Sequence, residues 1–432
     1  MQADIRKHVR HNFLVNVLDG GFFGMAIGFA SFVTIIPLFV NKFTDSSLLI
    51  GLIASIHLVG WQLPQILTAN HVAQLRRFKP MVIFMTIHER WPFLGMAFVA
   101  LFAAQLGNTL VLILTFILMT LQALFGGFTA TAWQSMIAKV MPPNRRGTFY
   151  GAQSSAANLL SSLGALIAGA ILLASGGSNE GFALTFLLSG VLMFVSFAFI
   201  AMNREPASEP AIEKPLSGVE FRRRLIGILR RDGNYRTFIL ARMLIQAASI
   251  GSAFYTVFAV RQFNMDEGTA GIMTGVFLLA ATIGNPLCGW LGDRYSRRII
   301  FAIGGLLAGA SALAALAAPD VSWFYLVFAL LGLSNGASWT SANAMTADFG
   351  GEKERPFYIS LVNTLIAPVT LLAPIIGGFL ADSINTEATL WFIVVTGALT
   401  AGVAFFLLRE PQPVTRAEPA KPEQSAVPVT GC

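Results

Sequence analysis

Gly289-Trp290-Leu291-Gly292-Asp293-Arg294-Tyr295-Ser296-Arg297-Arg298 is a short polar turn with two glycines, one acid and three arginines. Apolar stretches flank it, at about 269–291 before and 299–318 after, and each exceeds the roughly 18 residues that mark a transmembrane candidate. The turn is therefore a loop joining two membrane helices. Working outward, the same alternation recurs and predicts further spans at about 13–39, 47–69, 80–103, 108–137, 149–176, 181–202, 236–260, 321–346, 357–381 and 387–408. The expected fold is an all-α polytopic membrane protein of twelve transmembrane helices in two pseudo-symmetric six-helix halves.

Composition agrees with that class. The chain is 55% hydrophobic and only 12% charged, where soluble proteins carry about 25% charged residues. The net charge of +7 does not point to nucleic acid, because the basic residues sit in short clusters between apolar spans without zinc ligands or interleaved aromatics. Cys288 lies within a span and Cys432 ends the chain, leaving no CxxC metal pair and no disulfide framework. There is no GxxxxGK[ST] fingerprint for intrinsic ATP hydrolysis. No enzyme activity, cofactor or metal is expected, and the first span is longer than the core of a cleavable signal.

Lysines and arginines orient the spans. All but four of the 29 lie in the amino-terminal tail, alternate turns, the central linker and the carboxyl tail; the exceptions are Lys42, Arg261, Arg90 and Arg242. By the positive-inside rule both termini are cytoplasmic, in a prokaryotic inner membrane. The expected domains are 1–202, a six-helix half; 203–235, a linker whose Phe221–Arg231 stretch reads as an amphipathic helix lying against lipid; 236–408, the second half; and 409–432, a disordered cytoplasmic tail. An internal repeat supports the division: Gly127–Ala138 aligns with Gly336–Ala347, Phe149-Tyr150 with Phe357-Tyr358, and Gly169 with Gly377. Homologous halves imply a cavity where they meet.

With these residues in hand, the chain resembles the major facilitator superfamily over nearly its whole length. The turn 289–298 looks like that family's signature between spans two and three, reproduced between eight and nine. Gly289 and Gly292 would permit close backbone approach. Asp293 would accept hydrogen bonds from a neighbouring helix start or pair with Arg297, and Arg294 and Arg298 complete a conformational latch. The first-half counterpart, His71–Lys79, keeps the positive charges but has Leu75 where the family acid is expected. Gln122–Gly126 occupies the place of an Arg-x-x-x-Gly arrangement of proton-linked relatives. Gly164–Ala170 and Ala373–Gly378 resemble an antiporter-associated small-residue motif, the second with its proline and paired glycines; helix packing explains them equally.

Polar residues within spans supply the candidate substrate or proton pathway. His88-Glu89-Arg90 lies roughly 12–15 Å beyond Lys79, near the midplane, where an unpaired charge costs several kcal/mol. Asp19 on span one, and Arg242 and Gln246 on span seven, are the expected partners. Gln62, Gln122 and the helical face Asn335, Trp339 and Asn343 are further cavity candidates, Trp339 as a stacking surface. A static charge network is the competing reading. The function expected is alternating-access secondary transport of a small organic solute, with protons as coupling ion for efflux of an amphiphilic or drug-like compound. A nutrient importer is the second reading, and a non-transporting membrane assembly protein the third. Lipid and solute are the expected partners, and the protein is expected to be monomeric.

Overall fold

The computed structural model describes residues 2–263 and 267–411. The tail expected to be disordered lies outside them from residue 412 onward. The regular elements among the described residues are helices: α1 (Gln2–Phe29), α2 (Ile35–Asn41), α3 (Ser47–Gln62), α4 (Gln65–Val72), α5 (Lys79–Leu101), α6 (Ala103–Val140), α7 (Arg146–Ala174), α8 (Asn179–Ala201), α9 (Gly218–Arg231), α10 (Gly233–Ala248), α11 (Gly251–Phe263), α12 (Glu267–Arg294), α13 (Arg297–Leu316), α14 (Trp323–Asp348), α15 (Gly351–Ser383) and α16 (Thr386–Gly402). Eight stretches are long and apolar enough to cross a membrane, in α1, α6, α7, α8, α12, α13, α15 and α16. The protein is thus all-α and polytopic.

The other expected spans are broken or polar, and the breaks have local causes. After α1 the Ser31 hydroxyl accepts from the amides of Val33 and Thr34 at 3.2 Å, which diverts them from the helical ladder and divides the predicted 13–39 span. Pro64 stands where α3 gives way to α4, since proline lacks the amide a continuous helix needs. Between α10 and α11 the Ser249 hydroxyl donates to Gln246 O at 2.7 Å, occupying a carbonyl at the helix end. α5 and α14 are continuous, but α5 carries Glu89 and Arg90 and α14 a run of amides and hydroxyls.

Two groups of helices pack around separate interiors. In the first, α1 crosses α7 and α8 while α5 lies between α6 and α8; in the second, α14 sits against α12 and α13, and α16 against α10 and α13. The groups meet where α7 lies on α12 and where α3, α4 and α6 lie on α15. These contacts concentrate toward the end bearing the basic turns. Ser155 Oγ donates to Thr282 O at 2.7 Å, yet one turn farther from that end Leu159 and Leu279 on the same two faces are each 61% exposed. The groups therefore touch at the basic end and part toward the other.

The linker packs along protein. Its extended segment runs along the turn after α4, with Ser208 N on Arg76 O at 3.0 Å, Ile212 N on Ala73 O at 3.1 Å, and Asn70 exchanging two hydrogen bonds with the Leu216 backbone. Ser217 and Glu220 then form a reciprocal cap that starts α9. Hydrogen bonds from the Ser217 amide and hydroxyl hold the Glu220 carboxyl below its ordinary range. Leu225 and Ile228 bury the apolar stripe of α9 in the second interior, Arg224 stacks on Phe357 at 4.8 Å, and Arg224 and Arg231 pair with Glu354. The stripe expected against lipid belongs to α9, where Leu225 and Ile228 face protein.

Candidate functional site

The three consecutive polar residues of α5 point in three directions, as a turn of 100° per residue requires. Arg90 faces α1 and α8. Its Nη2 lies 3.3 Å from Asp19 Oδ1, its Nη1 donates to Ser196 Oγ at 2.9 Å, and the Ser196 hydroxyl donates to Asp19 Oδ1 at 2.5 Å. The guanidinium also lies 5.4 Å from the centre of the Phe23 ring. Asp19 and Arg90 are both buried, and together they form a neutral unit in which each charge is compensated.

Glu89, one position round the helix from Arg90, faces α6. Its Oε1 would stand 3.0 Å from a Cβ on Gly126, with the Trp61 ring on the same patch. A side chain at 126 would crowd the carboxyl. Glu89 is buried, but no hydrogen bond or ion pair to it is found among the described residues, and neither Arg90 nor Arg242 pairs with it. His88 turns to the perimeter: Nδ1 lies 2.8 Å from Phe84 O, and the ring packs on Phe84 and Phe125. It is not brought together with the other charges, so a relay through His88 has no geometric basis in this conformation.

The amides divide between the interior and the line where the groups meet. Gln122 Oε1 lies 3.1 Å from His57 Nδ1, and that imidazole stacks on Phe32 at 4.0 Å. Gln62 Oε1 accepts from Thr370 Oγ1 at 2.8 Å, and Asn363 Nδ2 donates to Gln65 Oε1 at 2.9 Å and to Gln134 Oε1 at 3.4 Å. Gln62 thus helps close the two groups against each other. Gln65, Asn363 and Thr370 escaped sequence reasoning because nothing in α15's sequence says which of its polar residues meets α4.

On the second group, Asn335 is exposed, Trp339 is 45% exposed and Asn343 is buried with its amide on Trp339 O at 2.9 Å. Arg242 reaches Thr346, one turn beyond Asn343, with Nη1 to Oγ1 at 3.4 Å, and Gln246 turns back to Ser249 at 3.5 Å. Arg242 is 8% exposed.

At the basic end Asp293 meets both partners expected of it. It accepts from the amides of Gly147 at 2.9 Å and Thr148 at 2.6 Å, the first turn of α7, and from Arg297 Nη2 at 2.6 Å. Free amides at a helix start are natural partners for a carboxylate. Gly289 permits the approach, because a Cβ there would lie 2.2 Å from Gly147 O. Gly292 has no such part: a Cβ would meet Arg297 Cγ at an ordinary 3.4 Å. Arg294 lies over the rings of Trp290 and Tyr295 on the surface, and Arg298 donates to Leu408 O at 2.9 Å, so neither touches Asp293.

Two residues missing from the sequence reading complete this cluster. Asp348, 3% exposed at the end of α14, accepts from both Arg297 and Arg146, while Arg146 also donates to Ala138 O and Arg297 to Pro143 O. The internal repeat held the signal. Its next aligned position sets Asp348 against Lys139, a reversal of charge between the halves.

The sequence profile of the Major Facilitator Superfamily matches residues 21–262 and 239–430, and the chain belongs to that family. It is 27% identical over 180 residues to multidrug resistance protein D of Escherichia coli K12, and 25% identical over 177 residues to multidrug resistance protein 1 of Bacillus subtilis 168. These alignments take in 40% and 41% of this chain and 45% of each relative, so the match spans about half the length of the curated relatives. In fold, the chain is similar to the E. coli fucose:proton symporter, with a TM-score of 0.74 at 16% identity over 91% of this chain and 97% of that one. It is also similar to a bacterial homologue of the iron transporter ferroportin in its outward-facing state, with a TM-score of 0.71 at 14% identity over 91% and 98%.

Proposed function

We propose that the protein is an alternating-access secondary transporter of a small organic solute, built from twelve spans in two six-span halves, residues 1–202 and 236–408, with the basic end and both termini in the cytoplasm. The observation that carries this reading is the one-sided closure: the two helix groups are joined at the basic end and uncovered beyond Ser155 and Thr282. That is the arrangement of a carrier open to the outside. Helices α3/α4 and α10/α11 are interrupted, and interrupted helices bend where continuous ones resist. Multidrug resistance proteins among the relatives favour an amphiphilic solute and efflux.

Coupling to protons is assigned to Glu89. A buried carboxyl with no fixed partner can gain and lose a proton without dismantling a structural pair, whereas Asp19 is held by Arg90 and Ser196. The cluster Asp293–Arg297–Asp348–Arg146 holds the inner side shut. Purified protein in vesicles, challenged with a panel of amphiphilic solutes under an imposed proton gradient, should show saturable flux. Glu89→Gln should abolish the response of that flux to pH between about 5 and 9 while leaving the protein folded, because glutamine keeps the shape and cannot exchange a proton. Absence of flux across the panel would sink the transport reading, and a wild-type pH profile in Glu89→Gln would remove Glu89 from coupling.

A further inference from the structure

We infer that the solute carries an anionic group, a carboxylate or an oxyanion of similar shape, and that Arg242 binds it. The inference rests on the transport reading above and names the chemistry its site selects.

Arg242 lies nine residues into α10, roughly 14 Å from that helix's start at the basic end, and is 8% exposed. Among the described residues no carboxylate pairs with it. Its one hydrogen bond, to Thr346 at 3.4 Å, is long and uses one of five donors. The contrast with Arg90 is direct, since that guanidinium, equally buried on the other group, has Asp19, Ser196 and the Phe23 ring around it. An arginine at membrane depth is costly without a counter-charge. A fork of donors left open in this way matches the two oxygens of a carboxylate.

The surroundings define the rest of the ligand. Trp339, Asn343 and Thr346 follow one another at i, i+4 and i+7 and so share a face of α14. That helix packs on α12 and α13 and touches α7 and α15, and its Thr346 meets Arg242 of α10, so this face carries the neighbours of Arg242. A ligand whose anion sits on Arg242 thus finds the Asn343 amide next and the half-exposed Trp339 indole beyond it. This patch suits a planar apolar body carrying an anion at one end.

The test uses full-length protein in detergent and the probes naphthalene-2-carboxylate, naphthalene-2-sulfonate, benzoate and salicylate, each paired with its neutral amide. Thermal midpoint and tryptophan emission report binding. At least one acid should stabilise the protein saturably, with its amide binding at least tenfold more weakly. Arg242→Gln should erase that preference, Arg242→Lys should restore part of it, and Trp339→Ala should weaken the naphthalene acids severalfold. Ligand-free Arg242→Gln should melt no lower than wild type, because it removes an uncompensated charge. Equal binding of acids and amides, no response to any acid, a preference retained in Arg242→Gln, or a lower ligand-free midpoint in that variant each overturns the assignment. Saturable flux of neutral or cationic solutes without any response to acids would overturn it while leaving transport intact. Acid binding without flux of any solute would support the site and remove transport.

Discussion

The turn after α4 and the turn after α12 occupy matching places, yet they fasten the basic end by different means. After α12, Asp293 takes the free amides of Gly147 and Thr148 at the start of α7. After α4 the equivalent residue is Leu75, half-buried among Val72, Met81 and Val82. The partner has changed too. Thr148 precedes the repeated Phe-Tyr pair in α7, whereas Pro356 precedes it in α15, and proline has no amide to give. Moreover α15 already begins at Gly351, so the helix start that receives Asp293 in one seam is absent from the other. Acid and acceptor site are both absent from this seam, and the linker lies across the gap, bound to α4 through Asn70 and Leu216 and to α15 through α9. Two seams related by the repeat can therefore be closed by unrelated chemistry.

Removing the acid should have the largest effect. Asp293→Asn weakens charge-assisted hydrogen bonds to two amides and Arg297, and about 2 kcal/mol of that loss should appear as a roughly thirtyfold shift away from closure at the basic end. Double-label distances between the turn after α12 and the start of α7 would read it; unchanged distances and flux in a well-folded variant would break the comparison. Asn70→Ala comes next. It deletes a reciprocal pair of hydrogen bonds to Leu216 and should favour opening on the α15 side by about 1 kcal/mol, visible as faster amide exchange over residues 206–217. Leu75→Asp sharpens the contrast most and moves least. With Pro356 opposite, the restored acid has no amide to accept from, so it should cost about 1 kcal/mol in packing without increasing closure. A gain in the closed population would show that the acid alone makes a latch.

Much of this was legible from sequence, and what was not has definable causes. Spacing of apolar runs gave the membrane class, and the residue types in 289–298 announced an acid aimed at a helix start, since glycine, aspartate and arginine rarely coincide there for packing alone. Leu75 was visible as a departure; Asp348 was marked only as a reversal of charge against Lys139 in the repeat, and that reversal gains a meaning only when Arg146 and Arg297 are placed beside it. The residue type of Pro64 itself accounts for one helix break, whereas Ser249 and Ser31 carry no such sign; any serine can divert an amide. The direction of Glu89 relative to Arg90 depended on which neighbour was glycine, a fact of α6. Periodicity identified α9 as amphipathic and could not tell a protein surface from a lipid one, since both select the same stripe.

The linker has a mechanical consequence. From Leu216, tied to the first group, to Arg224, lying on Phe357 of the second, there are about eight residues, nearly all of them in a capped helix of fixed rise, which gives a reach of roughly 12–15 Å. Such a tether has no slack to play out. The two groups can separate along this edge only until it is taut, after which either the Asn70 end or the α9 end must let go. The separation of the two groups at the basic end is thus measured by a segment that belongs to neither of them.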